Sequence, residues 1–185
     1  VTALAPNTTY FIRAYAVNTY GTGYGEELSF TTLPLSVPTL TTSPATDISY
    51  HIATSGGNIS LDGGDPVSVR GVCWGMVPGP TIAQPHTSDG SGSGSFTSSI
   101  TGLNAGTYYY VGAYATSSLG TGYGNELTFT TDAVGKPTVI TLPITDSSYR
   151  AATGGGEVVY DSGETVTSRG VCWSVTPNPT VANID

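Results

Sequence analysis

The chain has 185 residues, including 25 glycines and 12 prolines, and its 13 acidic against 5 basic residues give a net charge of −8. This acidic balance, without a cluster of Lys or Arg, disfavours binding to nucleic acid. No apolar run approaches the roughly 18 residues that a membrane-spanning helix needs. The hydrophobic residues, 38% of the chain, fall in short alternating runs, which is typical of a β-protein and not of a disordered chain.

One stretch of the sequence occurs twice. Residues 4–32 and 103–131 align without a gap, so equivalent positions lie 99 residues apart, as Leu4 and Leu103 show. A repeat of this length that contains no helical pattern predicts tandem β-domains and no significant helix.

The repeat divides the chain into three parts. We predict the C-terminal half of one unit at 1–33, a complete unit at 36–133 and the N-terminal half of another at 136–185. The linkers at 32–37 and 131–136 are short, which predicts a semi-rigid rod. Because neither half can bury its own apolar face, we expect neighbouring repeats to complete both halves. These are either half-repeats of other molecules, joined head to tail, or adjoining repeats of a longer covalent array.

The first half-unit opens with a turn followed by a strand. Leu4, Pro6 and Tyr10 fit the spacing L-x-P-x-T-x-Y, which resembles the tyrosine corner of fibronectin type III domains and related immunoglobulin-like β-sandwiches. Leu103 and Tyr109 keep the pattern in the second copy. The resemblance implies that each Tyr hydroxyl bonds to the backbone a few residues upstream.

The strand after each corner alternates between two faces. Its predicted outward row contains Phe11 and Tyr15 in the first copy, and Tyr110 and Tyr114 in the second. These rings predict stacking on sugar rings or packing against a neighbouring chain. The alternative is that a loop or a Trp of the adjacent strand covers them.

A glycine-rich segment, GTGYG, follows at 21–25 and again at 120–124. Its spacing is G-x-G-x-G, and it leads into a strand instead of a helix whose N-terminus would hold a phosphate. We therefore predict the hairpin between the last two strands, with the glycines supplying positive φ or a bulge.

The complete unit should contain earlier strands at 38–42, 49–54 and 67–74, and a later strand at 95–100. The loop at 58–66 carries two carboxylates. Calcium takes six to eight oxygen ligands, so this loop is better explained as a polar turn than as a metal site.

Two residue types recur in the third strand of each unit. Arg70 and Arg169 share a face with a Trp, which predicts a structural cation–π contact or an ion pair with Glu126 or its equivalent. Cys73 and Cys172 occupy one position in successive repeats. One cysteine per unit cannot form an internal disulfide, so both are predicted to be small apolar strand residues.

The sequence offers no catalytic or cofactor-binding set. Neither His51 nor His86 is kept in the other copy, no Ser or Cys has an evident base partner, and metal-ligand spacing is absent. We therefore expect no enzyme and no cofactor or metal. Asn7 and Asn58 fit the N-glycosylation sequon.

The strand RGVCW and the ending GTGYG-x-E-L-x-F-T-T give the repeat a further resemblance. It is similar to the tandem fibronectin type III-like or immunoglobulin-like modules in large surface proteins of Bacteroidetes-type bacteria. The resemblance implies an extracellular or cell-surface spacer, adhesin or fibre subunit. We predict a structural subunit of a fibre or stalk whose main partner is itself, without nucleic acid or membrane insertion. The alternative is an adhesin or carbohydrate-binding surface module.

Overall fold

The computed structural model describes residues 1–183 as 13 β-strands and one 3-10 turn, Val181–Asn183. The all-β prediction is confirmed. None of the helical residues in this described part forms a segment long and apolar enough to cross a membrane. The last two residues of the predicted third unit, Ile184 and Asp185, lie outside the described residues.

The middle of the chain forms a two-layer β-sandwich. One layer joins three strands in the order β5-β6-β8, and in the other β9 pairs with β7 on one edge and with β10 and β11 on the opposite edge. All of these pairs are antiparallel. The strands are β5 (Thr39–Thr46), β6 (Ile52–Leu61), β7 (Val69–Gly75), β8 (Gly94–Thr101), β9 (Tyr108–Ser117), β10 (Gly120–Tyr123) and β11 (Leu127–Thr130). This is the immunoglobulin-like and fibronectin type III-like arrangement of two packed antiparallel sheets.

The core of the middle repeat lies between these layers. Since side chains alternate along a strand, every second residue of β9 points inward. The buried core side chains are Leu40, Ala53, Ile59, Val67, Val72, Ile100, Leu103, Tyr109, Val111, Ala113, Ala115 and Phe129. Val72 on β7 and Val111 on β9 are both fully buried.

Several strand boundaries differ from the sequence prediction, and the first strand runs to Thr46 instead of ending at 42. The second strand runs through Ile52–Leu61 instead of 49–54, because β6 pairs with β5 on one edge and with β8 on the other. The GTGYG segments lie mostly in strands, and the turns precede them at 19–20 and 118–119. The first glycine of each segment, Gly21 or Gly120, has the predicted positive φ, at 140° and 133°.

The first 33 residues form two short antiparallel pairs. Strand β1 (Thr9–Ile12) pairs with β4 (Leu28–Thr31), and β2 (Tyr15–Asn18) pairs with β3 (Gly21–Tyr24). The two registers are those of β9 with β11 and of β9 with β10, displaced by 99 residues. We call residues 1–33 the N-terminal hairpin.

The part after residue 136 contains one strand pair. Strand β12 (Thr138–Leu142) pairs with β13 (Gly155–Tyr160) in the register of β5 with β6, including the bulge after the first residue. Among the described elements, none of β1–β4 contacts β12 or β13. The two flanking parts therefore do not close on each other within the chain.

The second RGVCW segment, 169–173, is not a strand, in contrast to the sequence prediction. Its first copy is β7, which pairs along its whole length with β9. Residues 136–183 contain equivalents of β5 and β6, whereas the equivalent of β9 would lie beyond the given sequence. Within residues 1–183 the segment therefore has no partner strand, and a single strand without a partner leaves its backbone groups unpaired.

Candidate interaction surface

The tyrosine corner has the same hydrogen bond in both copies. Ala5 N donates to Tyr10 Oη at 2.8 Å, and Asn104 N donates to Tyr109 Oη at 2.9 Å. Each Tyr ring stacks on a Phe of the last strand, with centroid separations of 5.9 Å for Tyr10 and 5.6 Å for Tyr109. Only the second corner, that of Tyr109, is packed into a hydrophobic core.

The non-Tyr corner residues show the same difference between copies. Leu103 is buried, its equivalent Leu4 is half-buried, and Pro6 is exposed.

Tyr114, a predicted ligand-stacking residue, is covered. Only 2% of it is exposed, its hydroxyl donates to the Thr87 carbonyl at 2.5 Å, and the His86 ring packs edge-on against it. Burial raises the pKa of this phenol above its usual value. The loop between β7 and β8 therefore occupies the place that a sugar ring would need, which corrects the prediction for this residue.

The other three aromatic residues of the predicted outward row are more accessible. Tyr110 is half-buried and packs edge-on against Tyr108. Phe11 and Tyr15 on the N-terminal hairpin are both 69% exposed.

Arg70 has a ring partner that the sequence analysis missed. Its guanidinium lies 5.3 Å from the Phe96 centroid, and Nη1 donates to two loop carbonyls at 3.1 Å. Glu126 is not its partner, since that carboxylate accepts from Gly79 N. The role is structural, as expected, but Phe96 comes from β8 in the opposite layer.

The carboxylates of the predicted polar turn bind backbone amides. Asp62 accepts from Gly64 N at 2.9 Å, and Asp65 accepts from Ser118 N at 2.7 Å, which lowers the pKa of Asp65. Across residues 1–183 no group of three His, Cys, Asp or Glu side chains is placed to hold a metal ion.

Both sequon asparagines lie at the surface. Asn7 is at an exposed turn with a φ of 50°, and Asn58 on β6 accepts a hydrogen bond from Ser95 Oγ at 3.1 Å.

The flanking parts expose the faces that the middle repeat buries. Phe30 is 39% exposed, whereas its equivalent Phe129 is 6% exposed. On the C-terminal side Val171 is 40% exposed, whereas its equivalent Val72 is fully buried.

Two surfaces follow from this comparison. The hairpin face consists of Tyr10, Ile12, Ala14, Ala16, Leu28 and Phe30. The cradle consists of Val139, Val158, Val166, Val171 and Trp173.

A separate contact joins the middle repeat to the part that follows it. The Tyr50 hydroxyl bonds to the Tyr160 hydroxyl, and the Tyr50 ring lies against Gly163, where a Cβ would come within 2.6 Å of it. This bond is the main reason that the pKa of Tyr50 is raised to about 12. Beside it, His51 Nε2 lies 3.9 Å from a carboxylate oxygen of Glu164.

This junction was not predicted from the sequence. The absence of a second histidine at the His51 position suggested no repeated role, yet its equivalent is the basic Arg150.

No protein-family model matches the sequence, and no curated protein matches it. Among solved structures, the sensor domain of the anti-sigma factor RsgI4 from Pseudobacteroides cellulosolvens has a TM-score of 0.41 at 16% identity, over 54% of this chain and 98% of that one. The FN1–FN3 domains of chicken CNTN1 give 0.40 at 14% identity, over 70% and 45%. Titin domains give 0.38 at 17% identity, over 66% and 40%. This chain thus spans less than half of the chicken and titin structures.

The class of the chain follows from its own strand order. It is built of immunoglobulin-like and fibronectin type III-like β-sandwich repeats, a fold that hosts many unrelated functions.

Proposed function

We propose that the chain is a structural segment of an extracellular fibre or surface stalk, in which neighbouring repeats complete its terminal half-repeats. The proposal includes the bacterial cell-surface setting that the resemblance to Bacteroidetes-type surface modules implies. Both modes of completion are covered by it, strand complementation between subunits and a continuous tandem array.

The observation that carries the proposal is the pair of exposed apolar surfaces, the hairpin face and the cradle. Each one matches a surface that the middle repeat buries against the other. Apolar patches of this kind mark interaction sites in soluble proteins. A further half-repeat on either side removes them from water, and repetition of that contact generates a rod.

The junction between repeats supports the same role. Tyr50 lies against Gly163 and its hydroxyl bonds to that of Tyr160. In the linker, Gly135 N donates a hydrogen bond to the Ser162 carbonyl at 3.1 Å. The equivalent linker bond earlier in the chain joins Ser36 N to the Gly63 carbonyl at 3.0 Å. A linker held in this way on both sides of the repeat limits bending, which suits a spacer.

Electron microscopy of the native material tests this function, together with its mass after denaturation. We expect thin rods or filaments. A denatured mass near 18.9 kDa identifies self-completing subunits, and a far larger mass identifies a covalent array. Compact single particles with no rods contradict the proposal.

Glycan binding is the second candidate function, and the exposure of Phe11 and Tyr15 favours it. Both rings lie on the side of the hairpin opposite the hairpin face. In the complete repeat the equivalent of Phe11, Tyr110, stays partly exposed, whereas the equivalent of Tyr15, Tyr114, is covered by a loop. A glycan array with the wild-type chain and with Phe11→Ala and Tyr15→Ala tests it. A sugar signal lost in these variants, with assembly unchanged, supports binding over the purely structural role.

A further inference from the structure

We propose that Tyr50 and Tyr160 form an oxidative cross-linking site, at which a one-electron oxidant joins the two rings as dityrosine. The new bond ties the middle repeat covalently to the part of the chain that follows it. The inference goes beyond the proposed structural role, because this cross-link forms within one chain whether or not that chain assembles into rods.

The two phenols meet at the junction between repeats. The Tyr50 hydroxyl bonds to the Tyr160 hydroxyl, and the Tyr50 ring lies flat against the backbone at Gly163. A Cβ at Gly163 would come within 2.6 Å of three ring carbons, and the φ of this residue is 90°. Both the close approach and the positive φ require glycine here. Glycine at this position is therefore what allows the first ring to reach the second.

The linker between the repeats holds both tyrosines in place. Asp132 N donates to the carbonyl of Ser49, the residue before Tyr50, at 3.3 Å. On the other side Gly135 N donates to the carbonyl of Ser162, in the turn after the second tyrosine, at 3.1 Å. Groups that are positioned before they react lose little entropy when they combine. The linker thus prepares this pair of rings for coupling.

The accessibility of Tyr160 is a property of its position in the repeat. Tyr160 is 54% exposed, and its equivalent in the complete middle repeat, Leu61, is 62% exposed. Completion of the C-terminal part therefore leaves this ring open to an oxidant. Leucine forms no phenoxyl radical, so the site belongs to the junction after the middle repeat and not to the one before it.

The coupling removes two hydrogen atoms in total. Each phenol gives one electron and its hydroxyl proton to the oxidant, which leaves a phenoxyl radical whose unpaired electron is shared with the ring carbons next to the C–O carbon. The two radicals combine through one such Cε carbon of each ring. The hydrogens on those carbons then move to the oxygens and restore both hydroxyls. With a haem peroxidase and hydrogen peroxide, the two electrons and two protons reduce one peroxide molecule to two waters.

Tryptic digestion identifies the product unambiguously. Trypsin cleaves after Arg but not at Lys136, which precedes proline, so Tyr50 lies in peptide 14–70. Tyr160 is the one tyrosine of peptide 151–169. After treatment of the 185-residue chain with haem peroxidase and hydrogen peroxide, the monomer fraction should contain these two peptides joined. Their mass should be lower than the sum of the two by two hydrogens, and the pair should show dityrosine fluorescence.

Dilution separates this product from random coupling. Groups linked in one molecule have an effective concentration of about 1 mM, so with the chain at about 10 μM the internal product should exceed the intermolecular one about 100-fold. The rings of Tyr108 and Tyr110 also lie close together, with centroids 5.3 Å apart. Any coupling between them stays within peptide 71–150 and is not mistaken for the proposed product.

Four variants test the placement of the rings. Tyr50→Phe and Tyr160→Phe should each abolish the joined peptides. Gly163→Val keeps both tyrosines but displaces the first, so the yield should fall to the intermolecular level. The matched control is Tyr149→Phe, which removes the fully exposed equivalent of Tyr50 in the C-terminal part and should leave the yield unchanged.

The mechanical consequence is measurable by pulling one chain from its two ends. Strands β5–β11 occupy residues 39–130, so unfolding of the middle repeat releases about 90 residues, or about 300 Å at about 3.4 Å per residue. A bond between positions 50 and 160 shields the chain between them from the force. Only residues 39–50 can then lengthen, by about 40 Å. We therefore expect the gain in length to fall about sevenfold after oxidation.

Four results overturn the inference. They are a monomer fraction without the joined peptides, a product that survives Tyr50→Phe, a Gly163→Val yield equal to that of the wild type, and an unchanged gain in length for the cross-linked chain. Each is obtained on the monomer, so none depends on whether the native material forms rods. Failure of this inference and failure of the proposed function are therefore distinguishable.

Discussion

Truncation of the same valine in two copies of the repeat should have opposite consequences. Val72→Ala removes two methyl groups from a side chain that is fully buried between the layers. At about 0.8 kcal/mol for each buried carbon, and with the added cost of the cavity, the middle repeat should lose about 2–3 kcal/mol of unfolding free energy. Val171→Ala changes a side chain that is 40% exposed and should cost at most about 0.5 kcal/mol in the dilute monomer.

The assay is urea unfolding followed by tryptophan fluorescence. The chain has two tryptophans, so a Trp173→Phe background leaves Trp74, which packs against the core, as the single probe. With an m-value of about 1–2 kcal/mol/M, Val72→Ala should lower the urea midpoint by about 1–3 M.

Two outcomes refute this reasoning. An effect of Val171→Ala on the dilute monomer as large as that of Val72→Ala would mean that the C-terminal part is already packed. A Val72→Ala midpoint within experimental error of the parent would mean that the middle repeat does not have the core described above.

Three further predictions concern single contacts. Tyr109→Phe should destabilise the middle repeat by about 1 kcal/mol in urea unfolding, because a part-buried N–H loses its acceptor, whereas Tyr10→Phe at the exposed corner should have almost no effect. Burial raises the pKa of Cys73 from 9.0 to about 11, so the folded state keeps its proton longer than the unfolded state does. The resulting stability is complete below about pH 9 and is lost as the pH rises towards 11, so the wild type should lose stability there more steeply than Cys73→Ala. Gly163→Val should displace Tyr50 and broaden the distance distribution from small-angle scattering, and an unchanged distribution would show that the junction does not fix the repeats.

The fold was predictable because its signals are local and repeated. Alternation with a period of two identifies strands from neighbouring residues alone, and the 99-residue copy identifies the size of the unit. The hydrogen bonds of Tyr10 and Tyr109 were predictable for the same reason, since each joins residues only five positions apart.

The glycine-rich segment was wrongly placed because its reason is not local. The sequence predicted a turn for all the glycines of each segment, but only the first, Gly21 or Gly120, has the positive φ expected there. Gly122 and Gly124 are required instead by the close approach of β5, which is about 80 residues away in sequence. The spacing of GTGYG alone does not distinguish a glycine needed for positive φ from one needed for the close approach of another strand.

The segment 169–173 shows the limit of any local prediction. It has the same five residues as 70–74, yet only the first copy is a strand. Strand formation depends on a partner, and the partner here is β9. The burial of Tyr114 could not be predicted for a related reason. Alternation shows on which face of the strand a residue lies, but not which loop packs over that face.

Backbone amide hydrogen exchange at residues 169–173 tests the central claim most directly, because that claim is that these residues become a strand only when a hairpin from another half-repeat docks beside them. The account predicts rapid exchange in the dilute 185-residue chain and slow exchange in rods of the native material. Equally rapid exchange in both would contradict it.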